Sequence, residues 1–211
     1  SINSIIEDSY GNLWIGSESY LIWYNRKNNS FKGFYKNNTT VILGKSKDGT
    51  IWANLRNTGI VKITPNDALP EIKFQTQLNY KQKDSIWTGS KAINDHSEDI
   101  FGRNWFATPK GILALNKEEQ LINTEFSKNT SYLIPAENNT FLATTDEGMF
   151  LLEYRKEEFE LKILGEIGGF IETPEPMEFT SISRDQESGI IWVSTQSGLY
   201  KGQKVANSYV F

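Results

Sequence analysis

One short phrase occurs five times along the chain, and no other feature constrains the fold as tightly. Its first statement is Ile5-Ile6-Glu7-Asp8-Ser9-Tyr10-Gly11-Asn12-Leu13-Trp14-Ile15-Gly16-Ser17. It returns as Lys47-Asp48-Gly49-Thr50-Ile51-Trp52-Ala53-Asn54, and then as Glu98-Asp99-Ile100-Phe101-Gly102-Arg103-Asn104-Trp105-Phe106-Ala107-Thr108. A worn copy without the Gly and Trp, Glu137-Asn138-Asn139-Thr140-Phe141-Leu142-Ala143-Thr144, precedes the last, which runs from Arg184 and Asp185 through Gly189 and Trp192 to Thr195. A period of roughly 40–50 residues with turn glycines and one tryptophan per unit marks a propeller or solenoid.

Each unit has one grammar. An apolar run leads into a polar turn with Gly, an apolar strand carrying Trp follows, and a second turn precedes another strand such as Gly59-Ile60-Val61-Lys62-Ile63 or Gly198-Leu199-Tyr200. A fourth run such as Ser30-Phe31-Lys32-Gly33-Phe34-Tyr35 closes the unit. Four short strands separated by Gly, Asn and Asp turns make one antiparallel sheet. Such a sheet cannot bury its aromatics alone, but it can when stacked face to face on its neighbours. The fold expected is therefore all-β, a β-propeller of about five four-stranded antiparallel blades, near 1–39, 40–85, 86–130, 131–167 and 168–211. The repeated Trp, Trp192 included, is expected between blades, where truncation to Ala costs about 3–5 kcal/mol.

Composition narrows the chemistry. A chain of 211 residues buries enough surface to need no staple, and the absence of Cys removes disulfides and thiolate chemistry. The net charge of −4 comes from interspersed charges, so no basic stripe invites nucleic acid. No apolar run reaches the length of a membrane span, and no signal peptide is visible. A start at Ser1 inside a motif points to a processed or excised form.

The pattern I-x-E-D-x-x-G-x-L-W-I-G-S/T followed by G-L resembles the two-component regulator propeller repeat. Ile5 to Ser17 match it closely and Arg184 to Leu199 match it well; the copies at Asp48 and Asp99 match in part. The resemblance implies the extracytoplasmic sensor of a hybrid two-component system of the Bacteroidetes type, a periplasmic location, and a ligand among the breakdown products of complex glycans. It also implies a kinase elsewhere in the parent protein as signalling partner, and no cofactor. Propellers of that family usually have seven blades, so five units either close on themselves or form an arc of a larger array. The arc is favoured because neither terminus has a distinct capping segment, and an arc with exposed blade faces would be prone to form a homodimer.

The distances between successive turn anchors alternate between short and long. The long links are Lys81 to Lys91 and Gly165 to Met177. In a four-stranded meander the blade-to-blade link lies on the same face as the loop between strands two and three, so both sets should converge on one face. That face collects Tyr20 and Trp87, which can stack on sugar rings, and Arg56, Lys91 and Lys110, which can meet carboxylates or sulfates. Asp146 and Gln196 complete the candidate ligand-binding set.

His96, the single histidine, aligns with Ile5 on an unusually polar first strand, Asn94 to Asp99. It reads as a satisfied inner-strand histidine in preference to part of a cation site. A minor alternative is a carboxylate-dependent glycoside hydrolase drawing on Glu7, Asp8, Glu98, Asp99, Asp146 or Asp185. Most of these sit in the repeated turn, where bonds to backbone N–H groups explain them without catalysis. A protein-interaction or oligomerisation scaffold is the other alternative to ligand sensing.

Overall fold

The repeated turn is built around one side chain. In the first unit Asp8 Oδ1 accepts hydrogen bonds from the N–H groups of Tyr10 and Asn12, both at 2.9 Å, and its Oδ2 accepts the indole Nε1–H of Trp14 at 3.1 Å. Gly11 takes φ 80° at the apex, a conformation that costs most other residues strain. One carboxylate thus satisfies the turn and the only polar atom of a fully buried Trp. The third unit repeats this with Asp99, whose Oδ2 holds Trp105 Nε1 at 2.9 Å. In the second unit Ser46 takes the same place and accepts Trp52 Nε1 at 3.0 Å. The worn fourth unit has Ala136 and Leu142 at the two positions, with Asn138 and Asn139 supplying positive φ where the others use Gly.

The computed structural model describes residues 1–56, 58–79, 93–116, 119–156, 159–168, 178–185, 187–206 and 208–211. Its strands form five four-stranded antiparallel sheets, each a simple meander in sequence order. The first contains β1 (Ile2–Glu7), β2 (Leu13–Ser17), β3 (Leu21–Asn25) and β4 (Ser30–Phe34); the second β5 (Thr40–Lys45), β6 (Ile51–Leu55), β7 (Gly59–Thr64) and β8 (Glu71–Asn79). The third has β9 (Asp95–Glu98), β10 (Asn104–Thr108), β11 (Gly111–Leu115) and β12 (Leu121–Asn123); the fourth β13 (Thr130–Pro135), β14 (Thr140–Thr145), β15 (Gly148–Tyr154) and β16 (Leu161–Ile167). The fifth consists of β17 (Phe179–Arg184), β18 (Ile191–Thr195), β19 (Gly198–Val205) and β20 (Ser208–Val210). The expectation of an all-β protein made of five propeller-type blades is met. Among the described residues no helix is long and apolar enough to cross a membrane.

The chain divides into two compact units, Ser1–Ile93 and Asn94–Phe211. In the first, Trp14, Leu21 and Trp23 of the first blade pack on Ile42, Ile51, Ala53, Val61 and Ile63 of the second. In the second unit, Trp105, Ile112 and Ala114 of the third blade pack on Phe141, Ala143, Phe150 and Tyr154 of the fourth. The opposite face of the fourth blade, Leu142, Met149 and Leu151, meets Ile182, Ile191 and Val193 of the fifth. The three joints share one rule. The residue at the Trp position presents one face, and the residues on either side of that position in the next blade's second strand form the other. Period-two alternation makes this possible, since each strand must feed two different interfaces.

Side chains of the first strands staple these joints. Asn3 Nδ2 donates to Thr40 O at 3.1 Å and Ser4 Oγ accepts Ile42 N–H at 2.7 Å, tying the first blade to the second. Asn94 Nδ2 donates to Thr130 O at 2.7 Å and Asp95 Oδ2 accepts Leu133 N–H at 2.9 Å, which repeats the device between the third and fourth blades.

The core assignment of the repeated Trp holds for Trp14, Trp52 and Trp105, all at most 1% exposed, and fails for Trp192, which is 38% exposed. The fifth turn is one residue longer, closing from Asp185 N to Ile190 O, and Asp185 Oδ1 accepts the N–H groups of Glu187 and Ser188. The Asp185 carboxylate is thus taken up by its own turn, and no hydrogen bond joins it to Trp192 among those of the described residues.

Candidate functional site

The loop between the second and third strands of a blade is clipped to that blade's own entry. Glu18 N–H donates to Ser1 O at 3.2 Å, Arg56 N–H to Thr39 O at 2.9 Å, Asp146 N–H to Asn129 O at 3.2 Å, and Gln196 N–H to Glu178 O at 3.2 Å. Entry segment and loop therefore share an edge in each of these four blades, as the meander argument requires. Loops held this way by a rigid sheet are where binding side chains concentrate.

In the second unit this edge opens into a crevice of about 470 Å³, lined by Asn94, Pro109, Asn129, Ser131, Tyr132, Glu178 and Phe179. These residues come from the entries of three successive blades and from one second-to-third strand loop. The lining combines amide, hydroxyl and carboxylate groups with one phenol ring. Tyr132 is fixed by its hydroxyl, which donates to Thr180 O at 2.5 Å. Burial raises its ionisation above the ordinary phenol range, and the charges of Asp95 and Glu178 push in the same direction.

Directly after lining residue Asn94, β9 carries two titratable groups. Burial pushes the Asp95 carboxyl up to about 7, against the opposing hydrogen bonds from Leu133 and His96 N–H. His96 is buried, with Nε2 2.9 Å from Asn104 Oδ1 and its ring 5.2 Å from that of Phe106. Burial lowers it to about 4, so it is neutral at physiological pH. That matches a satisfied inner-strand histidine. Among the described residues no cluster of three His, Cys, Asp or Glu has the proximity a metal ion requires.

Of the expected binding residues, three adjoin residues of this lining. Gln196 Nε2 hydrogen-bonds Glu178 Oε2, Asp146 is tied through its N–H to Asn129, and exposed Lys110 follows lining residue Pro109. Tyr20 and Arg56 occupy the corresponding edge of the first unit, where Thr39 joins their two loops: its carbonyl accepts Arg56 N–H and its hydroxyl donates to Glu18 O at 3.1 Å. Tyr20 there lies against Gly33, where an added Cβ would stand 3.1 Å from its ring. Trp87 and Lys91 lie outside the described residues. Sequence reading missed Asn94, Asn129, Ser131, Tyr132 and Glu178, which stand at blade entries and not in long insertions. The signal was present in the polar run Asn94 to Asp99 and in Glu178, which directly follows the long link ending at Met177.

Four of the six carboxylates considered for catalysis are engaged in structural bonds. Asp8, Asp99 and Asp185 are bound to turn N–H groups, and Glu7 pairs with Arg26 at 2.9 Å.

Residues 1–19 match the family model described as two component regulator propeller. No curated protein matches the chain. Among solved structures, it is similar to PorZ, an essential bacterial surface component of the type-IX secretion system of Porphyromonas gingivalis, at 16% identity and TM-score 0.68, over 94% of this chain and 31% of that one. It is similar to the extracellular domain of BT4673, assigned as a hybrid two component system of B. thetaiotaomicron, at 19% identity and TM-score 0.67, over 99% and 29% of the two chains. An enzyme also shares the fold: virginiamycin B lyase from Staphylococcus aureus, at 15% identity and TM-score 0.62, over 98% and 70%. The chain thus spans about a third of the length of the first two. Its first blade carries the two component regulator propeller repeat, and its fold is that of a β-propeller, similar to the extracellular domain of a hybrid two component system.

Proposed function

We propose that this chain is part of an extracytoplasmic, periplasmic sensing propeller that binds an oligosaccharide and signals to a kinase in the parent protein. The observation that carries the reading is the crevice on the loop edge of the second unit. Its lining includes Asn129, Ser131 and Glu178 together with Tyr132. Amides and carboxylates bond sugar hydroxyls, and an aromatic ring accepts the apolar face of a pyranose. With the Glu178 carboxylate in its lining, the site favours neutral sugars over acidic ones. Sensing is preferred to hydrolysis because the motif carboxylates are bound into turns. Signalling would follow if ligand binding biased the propeller's arrangement against the membrane-proximal parts of the protein.

The test is titration calorimetry with neutral and acidic oligosaccharides, after a thermal-shift screen of both panels. A saturable heat with a neutral glycan is expected, weakened about tenfold or more by Glu178→Gln, since a hydrogen bond to a charged group is worth about 1.5–3 kcal/mol. Unchanged affinity in Glu178→Gln and Asn129→Ala would move the site away from this crevice. Absence of any binder would leave a docking scaffold as the better reading.

A further inference from the structure

The worn repeat of the fourth blade leaves open a space that the first blade fills. In the first blade the indoles of Trp14 and Trp23 are cross-strand partners with ring centroids 6.4 Å apart, and Trp14 also stacks on Phe34 at 6.1 Å. The corresponding partners in the fourth blade are Leu142 and Leu151, and Ala136 stands where Asp8 accepts the Trp14 indole N–H. Two leucines fill less volume than two tryptophans, and the joint with the fifth blade opens here into a cavity of about 390 Å³. Leu151 lines it, together with Glu137, Asn138 and Thr140 from the turn between the two altered positions. That volume lies in the range of small-molecule sites. Its walls belong to two consecutive blades whose joint buries Leu142, Leu151 and Tyr209, so the cavity does not depend on an uncovered blade face.

The walls divide by chemistry. Leu151, Leu164 and the ring of Tyr209 are apolar, and Lys204 enters from the fifth blade. The Glu137 carboxylate carries two cations, Lys204 Nζ at 2.6 Å on one oxygen and Arg184 Nη2 at 3.2 Å on the other. This cluster therefore holds one positive charge in excess, and Arg184 Nε is buried in it without an acceptor. Glu153, the second carboxylate of the lining, is offset by its cross-strand partner Lys162 and by Arg155 at 4.0 Å. We propose that this cavity binds a small aromatic carboxylate, its ring against Leu151, Leu164 and Tyr209 and its acid group on Lys204. The ring takes the place that the first blade gives to its own indoles, and the acid group gains a charge-assisted hydrogen bond. The inference is independent of the sugar-binding reading, because the crevice adjoins the start of β13 at Ser131 and the cavity follows its end at Glu137.

Titration calorimetry of this chain with indoleacetate, and with uncharged indole as the comparison, tests it. Indoleacetate should bind saturably and about tenfold or more tighter than indole, the worth of one hydrogen bond to a charged group. Lys204→Met should erase that preference while leaving indole binding unchanged. Leu151→Trp, which restores the residue of the first blade, should abolish binding of both by filling the cavity. Should that variant fold poorly, Lys204→Met decides alone, since an altered ratio of the two affinities requires a folded protein. No binding of indoleacetate by wild type at millimolar concentration overturns the proposal. A preference for the acid that survives Lys204→Met, or binding that survives in folded Leu151→Trp, overturns it equally.

Discussion

Replacing Asp99 tests how much of a blade's stability one turn carboxylate supports. Asp99 is fully buried and holds four donors: Phe101 N–H at 2.8 Å, Arg103 N–H at 3.0 Å, Trp105 Nε1–H at 2.9 Å and Arg103 Nε–H at 2.6 Å. Arg103 is 4% exposed, donates to Lys156 O at 3.2 Å, and lies 4.9–5.7 Å from the rings of Phe101, Trp105, Tyr154 and Phe159. Asp99→Ala therefore strands a buried guanidinium and an indole N–H at once. Removing one partner of a buried pair costs about 3–5 kcal/mol, and we take about 4 kcal/mol here. Arg103→Met should cost less, about 2 kcal/mol, because Asp99 keeps three N–H donors and the thioether stem still covers the rings. In the Arg103→Met background, Asp99→Ala should then cost only about 2 kcal/mol, a coupling of about 2 kcal/mol between the two sites. Urea unfolding followed by far-ultraviolet circular dichroism measures all four corners of the cycle. A cost below about 1 kcal/mol for Asp99→Ala, or additive single and double variants, would refute the reasoning.

Trp105→Ala should lose about 3–5 kcal/mol, whereas Trp192→Ala should stay within about 1 kcal/mol; equal losses would contradict the exposure difference. Gly111→Ala should destabilise by more than about 2 kcal/mol, since φ is 125° and an added Cβ would stand 1.8 Å from Phe126 O. A melting temperature within a degree of wild type would show that β11 and its neighbour yield easily. The pH dependence of stability should be nearly flat between about 4 and 6.5. There an unfolded His96 binds a proton that the folded one refuses, so stability rises with pH, while a folded Asp95 keeps a proton that the unfolded one releases, so stability falls. Asp95→Ser, which retains a staple acceptor as Ser4 does, should unmask the His96 slope of roughly 1.4 kcal/mol per pH unit. Chemical denaturation at several pH values reads it, and a flat profile in that variant would remove His96 from the balance.

The fold was legible because its information is local and repeated. Turn glycines, the acidic residue ahead of them and the Trp after them each state one physical requirement, and five statements average out the noise of any one. The role of Asp8 and Asp99 as acceptors for the indole was less visible, since a carboxylate in a turn explains itself without the Trp. The exposure of Trp192 was hidden because the sequence of a blade is the same whether or not another blade covers it; only the longer turn after Asp185 sets it apart. The crevice was half legible. Meander geometry names the correct edge, and Lys110, Asp146 and Gln196 lie there, but the lining comes from blade entries such as Asn129 and Glu178. Their neighbours come from other blades, and no local pattern records which side chains adjacent entries bring together.

The pairing of turn acid with buried indole has a consequence for how such blades can change. A blade holding Trp14 without Asp8 would seal an indole N–H in its interior with no acceptor, and one holding Asp8 without Trp14 would leave a carboxylate oxygen without its donor. Either single step crosses a valley, while the double step to the Ala136 and Leu142 combination of the fourth blade lands on level ground. A library randomised at the two positions of the first blade and sorted for folded protein should therefore return mostly matched pairs, polar with indole or apolar with apolar. The two positions behave as one heritable character written six residues apart.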